Sequence, residues 1–299
     1  MSNNERERIG FIGAGLMGRG MALYLLRAGH PLSVYVHRNR EGIDELLEQG
    51  ARETHDLRAL AEACDAVVMC VSNADTVRAV IDGLLPGLRR GQLVIDATTS
   101  RPKISRQVAA LLGEKGVRYA DAPVTGGPNE SAAGRLGSLV GCDDADFERV
   151  RAIVACYSKV VHRIGGIGTG HQAKLLNNFV TQGTGALLAE AYGRARESGV
   201  DWKALYAVME TGAARSGTLE KMVKPALDGD FDGSRFSLRN ALKDTSYFCE
   251  MAEESPRGPS PLAQRVRAVF EEAVDAGHGE RYVSALLDPQ YAASRGKQE

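Results

Sequence analysis

The chain is short of several things that would mark a function class. It has one tryptophan among 299 residues and 6% aromatic residues, and its 37 Lys and Arg nearly match its 38 Asp and Glu. A formal net charge of -1 leaves no basic field, so nucleic acid is not expected as a partner. No apolar run approaches the roughly 18 residues that span a bilayer. The opening MSNNERERIG also lacks the apolar core of a signal peptide, so no membrane is expected and the expected location is cytoplasmic. Cys64, Cys70, Cys142, Cys156 and Cys249 are odd in number and show no CxxC spacing, which suits reduced structural thiols of a cytosolic protein. His30, His37, His55, His162, His171 and His278 are scattered without an HExxH pattern, and no metal site is expected. Internal repeats and low-complexity tracts are missing too.

What the chain does have is 43% hydrophobic residues over a length that suggests about two domains. β-rich runs and helical stretches alternate in the first half. Strands are expected at 9–13, 32–36, 66–71, 93–98, 118–124, 138–142 and 159–165. Helices are expected at 17–29, 41–49, 56–63, 74–82, 102–115 and 144–156. That alternation predicts a parallel, doubly wound sheet. After Gly170 the pattern turns helical, with segments at 171–198, 202–211, 216–227, 237–254 and 261–276. The reading is an α/β Rossmann-type domain over 1–165 and an all-α domain over 166–299, with a frayed tail over 293–299.

Gly13-Ala14-Gly15-Leu16-Met17-Gly18 is a GxGxxG that follows a strand and opens a helix. In that context it is a dinucleotide fingerprint. Gly13 permits the tight turn, Gly15 lets the backbone approach a pyrophosphate, and Gly18 lets the helix pack close to the sheet. NAD enzymes usually place a carboxylate at the end of the second strand, about 20 residues on. VYVHRNRE has none before Glu41 and offers His37, Arg38 and Arg40 instead. A guanidinium there suits a 2′-phosphate and favours NADP over NAD, although a surface arginine without a ligand fits the same residues.

GHQAKLLNN (170–178) places Lys174 and Asn178 four residues apart on one helix face. Hydride transfer to or from a nicotinamide needs a proton carrier working near ambient pH. A lysine at a helix start fits, because the positive end of the helix dipole favours the neutral amine. Taken alone, the segment fits equally well a lysine with its stem on the core and its head in water. DAPVTGG (121–127) ends a strand on Thr125, whose hydroxyl stands beside the N–H groups of Gly126 and Gly127. Ligands of open α/β sheets sit at the carboxyl ends of strands, and such N–H groups can cradle a carboxylate, although a plain turn also fits.

With these residues in view, the chain resembles the β-hydroxyacid dehydrogenases from about residue 9 to 288. Five segments carry the likeness, in the family's order: FIGAGLMGRGMALYLLRAGH (11–30), DATTS (96–100), DAPVTGGPNESAAGRL (121–136), GIGTGHQAKLLNN (166–178) and FSLRNALKD (236–244). The resemblance implies hydride transfer between NADP (NAD remaining open) and a small β-hydroxy acid or its semialdehyde, of 3-hydroxyisobutyrate, tartronate semialdehyde or glyoxylate/succinic semialdehyde type. It implies that Lys174 is the catalytic general acid/base, that Asn178 holds the substrate, and that Thr125, Gly126 and Gly127 bind its carboxylate. Gly13, Ala14, Gly15, Leu16, Met17, Gly18, His37, Arg38, Val71, Ser72, Thr99 and Lys243 would serve the cofactor. Lys243 would also act as a second cation near Lys174. A homodimer or homotetramer packed through helical domains is implied as well. Thr98 and Thr125 replace the usual serines but keep the hydroxyl, Tyr282 replaces an aspartate, and Arg135 stands where a small or neutral residue is usual. Arg135 could read a second anionic group, or simply be solvated. An imine reductase, which generally lacks the lysine, and a non-catalytic nucleotide-binding module of the same fold are the competing readings.

Overall fold

The computed structural model describes residues 6–37, 40 and 42–291. Arg38 and the tail over 293–299 therefore lie outside the described residues. The chain forms two compact units, Met1–Lys174 and Leu175–Glu299. The division falls inside a helix, later than the change of composition near residue 165.

The first unit alternates β1 (Ile9–Ile12), α1 (Gly18–Arg27), β2 (Leu32–Tyr35), α2 (Ile43–Glu48), β3 (Arg52–Thr54), α3 (Leu57–Ala63), β4 (Ala66–Met69), α4 (Ala74–Leu84), β5 (Leu93–Asp96), α5 (Pro102–Glu114) and β6 (Arg118–Asp121). It continues with β7 (Val124–Thr125), α6 (Pro128–Ala132), β8 (Leu136–Cys142), α7 (Phe147–Val154) and β9 (Ser158–Gly165). The sheet order is β3-β2-β1-β4-β5-β6-β8-β7, with β9 hydrogen-bonded to β8. Strands β1, β4 and β5 are buried at every residue, as parallel strands covered on both faces must be. One face packs Phe11, Val34, Val68 and Ile95 against Met21 and Leu25 of α1. The other packs Val67, Met69 and Val94 against Leu60, Ile81 and Leu112 of α3, α4 and α5.

The sheet departs from an all-parallel one at β8, which runs antiparallel to β6 and β7. The connection from β7 to β8 holds only the single turn of α6, too little for a parallel crossover. Short elements escaped the sequence pattern, β3 and α6 among them. Strand β3 is three residues long with a polar, partly exposed edge, so it shows no alternation. Helix α6 has five residues and an apolar content too small to leave a period.

Helix α8 (Thr169–Glu197) begins in the first unit and runs into the second. The second unit adds α9 (Trp202–Thr211), α10 (Gly217–Ala226), α11 (Leu238–Glu253) and α12 (Pro261–Ala273). Asp201, Ser216, Ser237 and Ser260 cap these four helices by accepting a backbone N–H three residues on, which explains where each one starts. Their apolar faces close over Tyr192, Met222, Val223 and Phe270. Helix α12 passes at Ala273 into a wider π-helical turn over Val274–His278, so the helical run reaches 276 as expected and breaks only at Gly277, which takes a φ of 85°.

Candidate active site

Strand β1 pairs with β2 on one side and β4 on the other, so the direction of winding reverses between β1 and β4. Ligands of such sheets bind outside the carboxyl ends of the strands at this reversal. The glycine loop leaves β1 there. Gly13 takes a φ of 93°, and a Cβ on it would lie 2.2 Å from the Cys70 carbonyl oxygen at the end of β4. A Cβ on Gly18 would lie 1.9 Å from the Gly13 carbonyl oxygen, which is why α1 can start so close to the strand. At Gly15 a Cβ would meet nothing within 4 Å, so this stretch of backbone faces open space. The three glycines thus show the tight turn, the open approach and the close packing that a pyrophosphate cradle requires.

Leu16 stands 77% exposed on this loop, and Met17 beside it is half-buried. The Met17 carbonyl accepts the buried Ser131 hydroxyl at 2.5 Å, so α6 braces the loop from behind. Val71 is half-buried just past β4, and its N–H donates to Thr98 Oγ1 at 3.1 Å. Ser72 is exposed, with its hydroxyl 3.2 Å from that of Thr76. Thr99, past β5, is half-buried. Past β2, His37 is exposed and stacks on Tyr35 at 6.3 Å. Arg40 is committed elsewhere: it grips both carboxylate oxygens of Glu53, at 2.7 and 3.1 Å, and reaches Asp44 at 3.2 Å.

Ile12, Met69, Asp96 and Asp121 lie in one row across the carboxyl ends of β1, β4, β5 and β6. Two carboxylates, each fully buried, therefore sit side by side. Asp96 accepts the Thr98 N–H at 2.9 Å and the Tyr119 hydroxyl at 3.2 Å. Burial pushes the Asp96 carboxyl above the usual carboxylate range, opposed by His171 and by these hydrogen bonds. Asp121 accepts the Gly168 N–H at 2.6 Å and the His171 N–H at 2.8 Å. It thereby satisfies N–H groups that the start of α8 leaves without a helical partner. Lys174, three residues on, is only 9% exposed, unlike a lysine with its head in water. Asn178 is likewise buried, and its amide Nδ2 donates to Asp244 Oδ2 at 2.6 Å. Lys243 Nζ lies 3.2 Å from the other oxygen of Asp244 and 5.8 Å from the Tyr247 ring centre.

The anion nest is less open than the sequence suggests. Thr125 Oγ1 donates to the Gly137 carbonyl at 3.3 Å, and Gly126 is exposed with a φ of 105°. The Gly127 N–H, however, already donates to Glu130 Oε2 at 2.7 Å. Glu130 closes the first turn of α6 in the manner of a capping box, which is why it takes that donor. Arg135 is exposed just before β8 and enters no described ion pair or side-chain hydrogen bond.

The sequence reading passed over His171, Asp121, Ser105 and Ser131. His171 counted as one of six scattered histidines, although it sits three residues before Lys174. That spacing on a helix was the available signal. Among the described residues no cluster of three or more metal-ligating side chains occurs, and no helix is long and apolar enough to cross a membrane.

Comparison with known proteins agrees with this geometry. Residues 8–166 match the profile of the NAD-binding domain of 6-phosphogluconate dehydrogenase, and residues 168–289 match the NAD-binding domain of NADP-dependent 3-hydroxyisobutyrate dehydrogenase. The 2-(hydroxymethyl)glutarate dehydrogenase of Eubacterium barkeri is 30% identical over 285 residues, covering 94% of this chain and 93% of its own. A probable mitochondrial 3-hydroxyisobutyrate dehydrogenase of Dictyostelium discoideum is 30% identical over 299 residues, covering 96% and 92%. Among solved structures, a 3-hydroxyisobutyrate dehydrogenase from Salmonella typhimurium superposes with a TM-score of 0.82 at 29% identity, covering 94% of this chain and 98% of that one.

Proposed function

The chain belongs to the β-hydroxyacid dehydrogenase family, and from that premise we propose an NADP-preferring enzyme acting on a small β-hydroxy acid or its semialdehyde. NAD(P)-dependent oxidoreduction at the CH–OH group of a hydroxy acid is the chemistry for which the matched dehydrogenases are named, and this chain carries it out. The observation that carries the finer reading is the buried Lys174, set on a helix start that Asp121 fastens to the carboxyl end of the sheet.

The residues from Gly13 to Gly18, Leu16 and Met17 among them, would hold the pyrophosphate, and Val71, Ser72 and Thr99 would hold the rest of the cofactor. A nicotinamide cofactor held by these residues would supply the hydride chemistry. Thr125 and Gly126 receive the substrate carboxylate, and Gly127 joins them once Glu130 releases its N–H. Lys174 takes the proton from the substrate hydroxyl during oxidation and returns it during reduction. Asn178, on the same helix face, is the second polar group assigned to the substrate, and its hydrogen bond to Asp244 fixes which way its amide points. The missing carboxylate after β2 supports NADP, with His37 and Arg38 in its place. Arg135 is exposed and enters no described ion pair, so it either reads a second negative charge on the substrate or is simply solvated, and dicarboxylates separate the two.

Five cysteines, none in a disulfide among the described residues, fit a reducing cytoplasm. Leu176, Val180 and Leu187 are 52%, 64% and 71% exposed. They share one face of α8, an apolar stripe that suits a second copy of the chain. Light scattering on the purified protein is expected to give a dimer or tetramer, and Leu187→Asp to shift it towards monomer. A monomeric wild type would remove the stripe from this role.

The functional reading is tested by following reduced-nicotinamide absorbance across a panel of small hydroxy acids and aldehyde acids. Mono- and dicarboxylates are each run with NADP(H) and with NAD(H). Turnover of one acid, faster with NADP(H), is expected. Turnover faster with NAD(H) overturns the cofactor preference, and silence across the panel overturns the substrate class.

A further inference from the structure

His171 has no exposed surface, and the proposed chemistry leaves it without a task. Its ring nevertheless joins three parts of the first unit. Nε2 lies 2.7 Å from the Thr98 carbonyl oxygen, and Nδ1 lies 2.6 Å from the Ser105 hydroxyl on α5. A carbonyl only accepts, so Nε2 carries a proton and donates it. The backbone N–H of the same residue is held by Asp121.

Thr98 is the other half of the arrangement. It is 1% exposed, and each of its polar groups is taken. Its N–H donates to Asp96, its Oγ1 accepts the Val71 N–H, and its carbonyl accepts His171 Nε2. Thr98 thus ties together the loops after β4 and β5, which carry Val71 and Thr99. His171 ties that pair to the first turn of α8, just ahead of Lys174.

We propose that His171 is a positioning residue, its Nε2–H bond to the Thr98 carbonyl holding Lys174 in a fixed place relative to the cofactor-side loops. The role of Lys174 in this statement rests on the functional reading above, whereas the tie itself does not. An apolar side chain of the same size would fill the cavity but leave the Thr98 carbonyl without this donor. α8 would keep its Asp121 bonds but lose this tie to the loop after β5, and a small drift of Lys174 is enough to slow proton transfer, since a 1 Å misplacement can cost roughly a hundredfold in rate.

Two conservative variants separate this from a merely space-filling histidine. In His171→Gln the terminal amide reaches the position of Nε2 and can still donate to Thr98. In His171→Asn the shorter amide reaches only the position of Nδ1, which serves Ser105. Full-length His171→Gln, His171→Asn and His171→Leu are compared with wild type in three ways: amide hydrogen exchange over residues 168–174, NADP affinity by fluorescence titration, and kcat and KM on the acid found active.

The glutamine variant is expected to keep wild-type exchange and a kcat within about threefold. The asparagine and leucine variants are expected to exchange faster over 168–174 and to lose about tenfold or more in kcat, with KM and NADP affinity within about threefold. Equal exchange in the glutamine and asparagine variants overturns the proposal, as does an equal kcat in all three. If the wild type turns over no acid, that failure belongs to the functional reading, and the exchange comparison still decides the tie. Should the leucine variant not fold, Ser105→Ala replaces it. That variant keeps the Thr98 bond and is expected to hold kcat and exchange near wild type. Damage equal to that of His171→Asn would assign the tie to Ser105 and overturn the role of Thr98.

Discussion

Asp121 holds the start of α8 through the backbone of His171. One carboxylate oxygen accepts the His171 N–H at 2.8 Å while the other accepts the Gly168 N–H at 2.6 Å. Burying this carboxyl group is tolerable because it faces the positive end of a long helix and satisfies two donors. The carboxylate belongs to the last residue of β6, so the helix that carries Lys174 is referenced to the sheet.

Removing that carboxylate should be costly. Asp121→Ala leaves two N–H groups without a partner, at about 1–3 kcal/mol for each group that stays buried. Asp121→Asn keeps one acceptor oxygen and should fall between. Urea denaturation is expected to rank the midpoints wild type, then Asn, then Ala. An alanine variant as stable as wild type would mean that water or a shifted backbone replaces the carboxylate.

Lys174→Ala tests the proton carrier directly. The turnover number is expected to fall by about 10²–10⁴, the usual contribution of a general acid/base, while NADP affinity stays unchanged. Near-normal turnover would show that another group moves the proton.

Glu130 competes for the nest. Glu130→Ala frees the Gly127 N–H and is expected to lower KM for carboxylate substrates with little change in kcat. It should also destabilise α6 by about 1 kcal/mol through loss of the capping contact. An unchanged or higher KM would place the substrate carboxylate elsewhere.

Two thiols should be chemically silent. Burial pushes Cys64 and Cys142 up to about 11 each, so the neutral thiol is favoured and thiolate becomes abundant only near that pH. Alkylation at pH 8 followed by peptide mass analysis should leave both unmodified in the native protein and label both after unfolding. Native labelling of either would mean that its side of the core opens readily.

The sequence by itself determined most of the architecture. Continuous apolar runs as short as IGFI and AVVM, bounded by turn residues, read as strands buried on both faces, and they are. The glycine spacing fixed the turn after β1, because no other residue tolerates the Gly13 conformation or the Gly18 approach. That Lys174 and Asn178 stand one turn apart on a single helix was legible from their spacing. Tertiary structure decided what local pattern cannot encode. The reversal of β8 depends on how short the link after β7 is in space. The pairing of Asp96 with Asp121 depends on strand register. The occupation of the Gly127 N–H by Glu130 and of the Thr98 carbonyl by His171 depends on which donors and acceptors meet when the chain closes. Periodicity reports which face of an element is apolar, whereas hydrogen-bond partners far apart in sequence leave no period to read, and at this site they set where the lysine stands.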